Sequence, residues 1–258
     1  MSTPALKDKH VVITGAARGI GAAIAHRFAR DGASLTLMGR NLEALQATAA
    51  HLPGGPHACV AADVSDEASI RSAFARARER LGPVAILVNN AGQAESAPFG
   101  RTSMALWNRM LAVNLSGAFV SAQCALPDML DAGWGRIVTI ASTAGVKGYA
   151  YVAAYAAAKH GVIGMTRSLA LEVARKGVTV NAVCPGYTET DLLKDSIANV
   201  MAKTGRSEAE ARASFAQGNP QGRLVQPEEV ADAVRWLCSE GAGAVTGQSI
   251  PVAGGEVM

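Results

Sequence analysis

Tyr155 and Lys159 stand four residues apart, and Ser142 lies thirteen residues before the tyrosine. Four residues is about one turn of helix, so the phenol and the ammonium would share a face. A cation held beside a phenol favours the phenolate and lowers a pKa that is ordinarily about 10. Tyr155 would then donate or accept a proton near neutrality. A serine reaching the same place can hydrogen-bond the oxygen of a carbonyl or an alcohol. Tyr149 and Tyr151 are nearby, but neither has a lysine four residues on. A Tyr-x-x-x-Lys spacing on its own also describes two surface residues, so the rest of the chain must decide.

The elements that would position these groups alternate along the 258 residues. Short β-branched runs fall at 10–14, 34–38, 57–61, 85–89, 136–141, 179–183 and 249–252. Ala-rich amphipathic stretches fall between them at 19–31, 42–51, 67–81, 103–131, 151–175 and 227–239. This alternation predicts a seven-stranded, mostly parallel sheet with helices on both faces, an α/β doubly wound arrangement. Runs such as Ile86-Leu87-Val88 and Ile137-Val138-Thr139-Ile140 are apolar on both sides, as strands between two helical layers must be. No Pro/Ser-rich linker, repeat or charge block divides the chain, which predicts one domain over 1–258. Residues 187–223 break the rhythm. They form a long, polar insertion of mixed charge, of the kind that serves as a lid or binding loop.

Composition narrows the class. With 49% hydrophobic and 17% charged residues the chain is an ordinary compact protein. The formal charge of +3 is too small and too dispersed to suggest nucleic acid. The start of the chain lacks an apolar core behind a basic segment, and no uninterrupted apolar run reaches membrane-spanning length. Cys59, Cys124, Cys184 and Cys238 lack metal-ligand spacing and read as small core residues in a reducing compartment. The expectation is a cytoplasmic protein with no metal and no membrane or nucleic-acid partner.

The first strand runs into Thr14-Gly-Ala-Ala-Arg-Gly-Ile-Gly21 and then a helix. Gly15 permits a tight turn, Gly19 a close approach of backbone to ligand, and Gly21 close packing of the helix on the sheet. A helix N-terminus offers unpaired N–H groups and partial positive charge to a pyrophosphate. Asn89-Asn90-Ala91-Gly92, Asn114, Ser142, Tyr155-x-x-x-Lys159 and Pro185-Gly186 follow in order. As a set, over essentially the whole chain, these motifs resemble the short-chain dehydrogenase/reductase family in its compact branch. Stretches such as Gly135-Arg-Ile-Val-Thr-Ile-Ala-Ser-Thr143 are most similar to its ketoreductases of polyketide and fatty-acyl metabolism.

The resemblance implies a Rossmann-type fold and NAD(P)-dependent hydride transfer between nicotinamide and a carbonyl or secondary alcohol. It casts Tyr155 as general acid and base. Lys159 would lower its pKa and bond the nicotinamide ribose, Ser142 would hold the substrate oxygen, and Asn114 would fix a water in a proton relay. It implies a cofactor site of Gly15, Arg18, Gly19, Ile20, Gly21, Arg40, Asp63, Val64, Asn90, Ala91, Gly92, Tyr155, Lys159, Pro185, Gly186 and Thr188. Of the two asparagines, Asn90 faces the cofactor and Asn89 is structural; Thr188 is preferred over Thr190 on spacing. Asp63 would accept from the adenine amino group, or else cap the next helix in competition with Ser65 and Asp66. His160 projects away from Lys159 and reads as packing or polar contact. The second strand ends Met38-Gly39-Arg40, with glycine where an NAD-selecting site places an acid. Arg40 and Arg18 therefore predict NADP(H), with NAD(H) the alternative. The family also implies a homotetramer assembled through the helices at 103–131 and 151–175 and the last strand. Three loops, 93–96, 143–151 and 187–223, would set specificity, with a 3-oxoacyl thioester or an aryl ketone as substrate. Other readings are an alcohol or 3-hydroxyacyl dehydrogenase running oxidatively, an epimerase or dehydratase, and a dinucleotide-binding regulator without catalysis.

Overall fold

The structure is a computed structural model and describes residues 6–258, apart from the side chain of residue 192. Part of the expectation about a leader therefore lies outside the described residues. The strands are β1 (His10–Thr14), β2 (Ser34–Gly39), β3 (His57–Ala61), β4 (Ile86–Asn89), β5 (Gly135–Ile140), β6 (Val178–Pro185) and β7 (Ser249–Val252). They form one fully parallel sheet in the order β3-β2-β1-β4-β5-β6-β7. The chain winds outward from β1 to β3 and then returns to place β4 on the other side of β1. That reversal opens a crevice at the carboxyl ends of β1 and β4, where ligands bind in sheets of this kind.

Side-chain alternation divides the core. Val11, Ile13, Leu35, Leu37, Ile86 and Val88 pack on one face against α1 (Gly19–Arg30) and α9 (Pro227–Leu237). Val12, Leu87, Ile137 and Val180 pack on the other against α3 (Glu67–Leu81), α5 (Gly117–Asp131) and α6 (Ala153–Val173). A strand buried on both faces needs the continuous apolar runs seen in the sequence. Helix starts carry local signals. Asp66 caps α3 by accepting from Ala68 N, and Pro227 opens α9 behind a Gln226/Glu229 capping box. The shorter α2 (Leu42–Ala49) is capped by Asn41.

Two expectations change. The single helix expected at 103–131 is α4 (Met104–Leu111), a π turn at Ala112–Ser116, and α5. The π turn centres on Asn114, whose bonds are described below. By length and composition the stretch Met104–Ala132 is apolar enough to cross a membrane, although polar residues such as Arg109 and Asp128 interrupt it. Half of its apolar window is buried in this fold, and α5 packs on α3 and the sheet. The segment 187–223 is helical, with α7 (Asp191–Thr204) and α8 (Glu208–Ala216) built around Leu193, Ile197, Ala211 and Leu224. Its neck is closed by Val225 N to Tyr187 O at 2.9 Å and Glu189 N to Val225 O at 2.9 Å.

Candidate active site

The turn from β1 into α1 is held from below by β4. Thr14 Oγ1 accepts from Asn90 N and Ala91 N, both at 3.0 Å. Asn90 Nδ2 donates to the carbonyls of Thr14 and Gly15, each at 3.0 Å. Gly15 sits at φ +66°, and a Cβ there would stand 2.8 Å from Ala91 Cα. A Cβ on Gly21 would stand 2.3 Å from Gly15 O and 2.5 Å from Asn90 Nδ2. The cradle is thus shaped so that the backbone itself is the surface, as close approach to a pyrophosphate requires. The side chain of Arg18, the N-cap of α1, accepts from none of the helix's N–H groups, and no acid lies in the first turn. Gly15, Gly19, Ile20 and Gly21 therefore present an uncapped, positively polarised helix end.

Asn90 differs from expectation. It is the tie between neighbouring strands, its amide nitrogen spent on the carbonyls of Thr14 and Gly15. Asn89 links the sheet to α5 instead, through Nδ2 to Ala118 O at 3.2 Å. The two threonines also exchange weight. Thr188 is buried and donates to Gly186 O at 3.0 Å. Thr190 Cγ2 is 3.1 Å from where a Cβ on Gly19 would be, which places Thr190 and not Thr188 over the phosphate cradle. Spacing along the chain could not reveal this, because the approach is made through space by the start of α7.

At the carboxyl ends of β2 and β3, Gly39 and Ala61 pair across the two strands. A Cβ on Gly39 would meet only Leu45 at ordinary contact distance. Packing therefore leaves room there, beside the exposed Arg40. Asp63 Oδ1 accepts from Ser65 N at 2.9 Å and Ser65 Oγ at 2.7 Å. Those bonds hold its carboxyl below the usual range, and the charge of Arg40 adds to the effect. Asp66, not Asp63, caps α3. Val64, Thr14, Ala91 and Gly117 line one small recess beside the cradle. Arg18 reaches α7, with Nη1 3.8 Å from Asp191 Oδ2 at its start. Pro185 ends β6 and Gly186 follows it, its N donating to Val252 O at 3.1 Å.

The proton-handling groups meet where β4, β5 and α6 come together. Ser142 follows β5 and accepts from Ala144 N at 3.1 Å. Tyr155 and Lys159 lie one turn apart on α6. The Lys159 side chain is buried, its Nζ donating to Ile140 O at 2.8 Å and lying 5.6 Å from the Tyr155 ring centroid. Asn114 is buried in the π turn. Its Nδ2 donates to Gln93 O at 2.9 Å and Met110 O at 3.0 Å, and its Oδ1 accepts from Gln93 N at 3.2 Å. A Cβ on Gly92 would stand 2.9 Å from Asn114 Oδ1 and 3.6 Å from Lys159 Nζ. Gly92 is thus the small residue that lets the asparagine and the lysine converge. His160, exposed, bonds its own helix at Ala156 O.

The electrostatics correct the first expectation. Burial pushes the Tyr155 phenol above its ordinary value, while a hydrogen bond with Ser142 pulls the other way. Lys159 is not among the groups that move the phenol, and burial holds its own ammonium down, to about 8. Cys184, read as a core residue, is buried next to this group, and burial raises its thiol to about 11. Sequence reasoning left two residues out of the site: Thr14, which holds the loop after β4, and Glu256, which accepts from the hydroxyl of Tyr149 in the loop after Ser142. Thr14 stood at the head of the glycine motif, whereas nothing in the sequence marked Glu256.

Comparison with known proteins gives the arrangement a context. Residues 9–200 match the family described as short chain dehydrogenase. The chain is 38% identical over 253 residues to the 3-oxoacyl-(acyl-carrier-protein) reductase FabG of Aquifex aeolicus, covering 97% of this chain and 98% of that protein. It is 36% identical over 252 residues to the D-beta-hydroxybutyrate dehydrogenase of Rhizobium meliloti, covering 96% and 98%. In three dimensions it matches a crystal structure of an actinorhodin polyketide ketoreductase variant with NADPH at a TM-score of 0.93. The identity there is 39%, over 99% of both chains.

Proposed function

The chain belongs to the short-chain dehydrogenase family, and from that premise we propose that it is an NADPH-preferring reductase of ketones. The coarser statement, an NAD(P)-dependent oxidoreductase acting on carbonyl and secondary-alcohol groups, follows from the family, the curated relatives and the NADPH-bound structural neighbour. The observation that carries the finer reading is the convergence of Ser142, Tyr155 and Lys159 beside a glycine-lined backbone cradle.

Bound in that cradle, a reduced nicotinamide supplies the hydride. Gly15, Gly19, Ile20 and Gly21 would hold its pyrophosphate, with Thr190 above Gly19. Asp63, Val64, Ala91 and Gly92 would flank the adenosine half, and Pro185-Gly186 the nicotinamide half. Ser142 and Tyr155 would both hydrogen-bond the substrate oxygen. As negative charge develops on that oxygen, the Tyr155 phenol transfers its proton. Lys159 would orient the ribose and replenish the proton, with Asn114 holding the loop after β4 beside it. A phenol kept protonated by burial suits reduction, because the acid is loaded at neutral pH. The oxidative direction is the second reading, favoured by the identity to the hydroxybutyrate dehydrogenase.

Cofactor choice rests on Arg40 and Arg18. Arg40 is exposed at the end of β2, no acid stands at Gly39, and Arg18 lies at the N-cap of α1. A 2′-phosphate would meet two guanidinium groups and no repelling carboxylate from β2. The ratio of kcat/KM for NADPH and NADH with one ketone tests this. We expect NADPH to be preferred in the wild type, and Arg40→Asp to invert the preference, a swing of about a hundredfold or more. A wild type preferring NADH, or a ratio unmoved by the substitution, would overturn the assignment.

Assembly belongs to the same reading. Met104, Phe119 and Leu171 are large apolar side chains left exposed on α4, α5 and α6. We assign them to subunit contacts of a homotetramer, and a monomer in light scattering at micromolar concentration would contradict this. The four free cysteines fit a reducing, cytoplasmic setting.

A further inference from the structure

The tail beyond β7 carries a carboxylate into the interior. The Glu256 side chain is 4% exposed, and its partners Lys147 and Tyr149 come from the loop after β5. Tyr149 donates its hydroxyl to Oε1 at 2.5 Å, and Lys147 Nζ lies 3.3 Å from the same oxygen. Lys147 Nζ also lies 3.3 Å from the Glu256 backbone carbonyl, to which it donates. Tyr149 in turn accepts from the Thr143 hydroxyl at 2.7 Å, one residue from Ser142. The other carboxylate oxygen faces the end of β6, where a Cβ on Gly186 would stand 3.0 Å from Oε2. A carboxylate so far from water is costly unless paired and hydrogen-bonded. Here an ammonium and a phenol hold it, at the junction of the Ser142 loop and the turn assigned to nicotinamide.

From this placement we infer that Glu256 is a positioning residue, which fixes the loop carrying Ser142 relative to the Pro185-Gly186 turn by acting through Tyr149. The inference deepens the ketone-reductase reading and rests on it. It also concerns the substrate. The Tyr149 ring meets Tyr187 edge-on at 6.3 Å between centroids, and Tyr187 meets Phe215 of α8 at 4.9 Å. The anchored tyrosine is therefore one end of an aromatic wall that runs from the loop after β5 to the lid. Such a wall suits a flat, apolar ketone, aryl or alicyclic, which gains from ring contacts along its length. A small aliphatic ketone would touch little of it.

The experiment compares wild type, Glu256→Gln, Glu256→Ala, Tyr149→Phe and the Glu256→Ala/Tyr149→Phe double variant. Each is assayed with a bulky aryl ketone and a small aliphatic one, and cofactor Kd is measured by nucleotide fluorescence. Glu256→Gln keeps an acceptor for the tyrosine and should stay within about threefold of wild type, because it preserves the hydrogen bond and loses only the ion pair. Glu256→Ala and Tyr149→Phe should each raise KM for the aryl ketone about tenfold, with a smaller change for the small ketone and cofactor Kd unmoved. The double variant should be no worse than either single one, since both remove one interaction. Additive losses, or Glu256→Gln as damaging as Glu256→Ala, would overturn the positioning role, and equal losses on both ketones would overturn the aromatic-wall reading. Should Glu256→Ala fail to fold, Tyr149→Phe, which deletes one oxygen, decides by the same split. A wild type without turnover on any ketone would overturn the reductase reading itself. An active wild type with unaffected variants would overturn only the role of Glu256.

Discussion

Tyr155→Phe is expected to lower turnover by roughly a hundredfold to ten-thousandfold, the usual range for loss of a general acid, while cofactor Kd stays within about twofold. The substitution deletes one oxygen from a side chain on α6 and leaves the cradle, formed by β1, α1 and β4, untouched. Ser142 would still hydrogen-bond the carbonyl, so substrate binding should survive better than chemistry. The pH behaviour of the wild type follows from the same group. Burial raises the phenol, so it stays protonated through neutrality. Reduction should be flat with pH there and decline only in the alkaline range, whereas oxidation, which needs the phenolate, should rise with pH. Retention of more than about a tenth of wild-type turnover by Tyr155→Phe, with chemistry rate-limiting, would remove Tyr155 from the role.

Lys159→Met is expected to abolish most activity and yet to stabilise the fold at neutral pH. The lysine is buried, and burial depresses its ammonium from 10.5 to about 8. Below about 8 both the folded and unfolded chains hold the proton, and the full desolvation cost is present. Between about 8 and 10.5 the unfolded chain holds a proton that the folded chain has shed, so wild-type stability rises with pH across that window. A shift of this size corresponds to an upper bound of roughly 3 kcal/mol. The lost bond to Ile140 O returns about 1 kcal/mol of it. Urea unfolding should therefore show Lys159→Met about 1–2 kcal/mol more stable than wild type at pH 7. The advantage should shrink as pH rises past 8 and be gone by about pH 10. Turnover should fall at least a hundredfold and cofactor affinity should weaken, because the ammonium is assigned to the ribose and the proton supply. A variant equally destabilised at every pH would show that Lys159 is held for packing and not against its desolvation cost. The combination expected here, lost function with gained stability, is the mark of a group kept in place for chemistry.

Much of this was legible in the residues, for identifiable reasons. The edges of β1, β3, β7 and α3 coincide with the sequence reading because β-branched runs and an Asp cap mark them locally. The glycine cradle was legible because steric demand leaves a residue-level signature: nothing larger fits at Gly15 or Gly21. What was not legible depends on contacts made through space. The helix at 103–131 breaks because Asn114 bonds Gln93 in a loop twenty-one residues away in sequence, which favours a π turn that periodicity cannot register. Thr190 reaches the cradle only because α7 folds back over Gly19. Glu256 follows two glycines near the chain end and looks like a solvated tail residue until β7 delivers it beside Tyr149. The direction of the Tyr155 shift is hidden from the sequence for the same reason. One helical turn fixes where Lys159 sits, but burial decides the phenol's ionisation and is a property of the packed structure.

The central claim is that this chain moves a hydride from nicotinamide to a carbonyl carbon while Tyr155 protonates the oxygen. The most direct measurement is isotope transfer. Each of the two forms of NADPH deuterated at nicotinamide C4 is incubated with the enzyme and an aryl ketone, and the alcohol is analysed by mass spectrometry. One form should deliver its deuterium to the carbinol carbon, one label per alcohol formed. The other should deliver none, and Tyr155→Phe should slow the labelling to the extent that it slows turnover. NADPH consumption without label in the alcohol from either form, or labelling at the wild-type rate in Tyr155→Phe, would contradict the account.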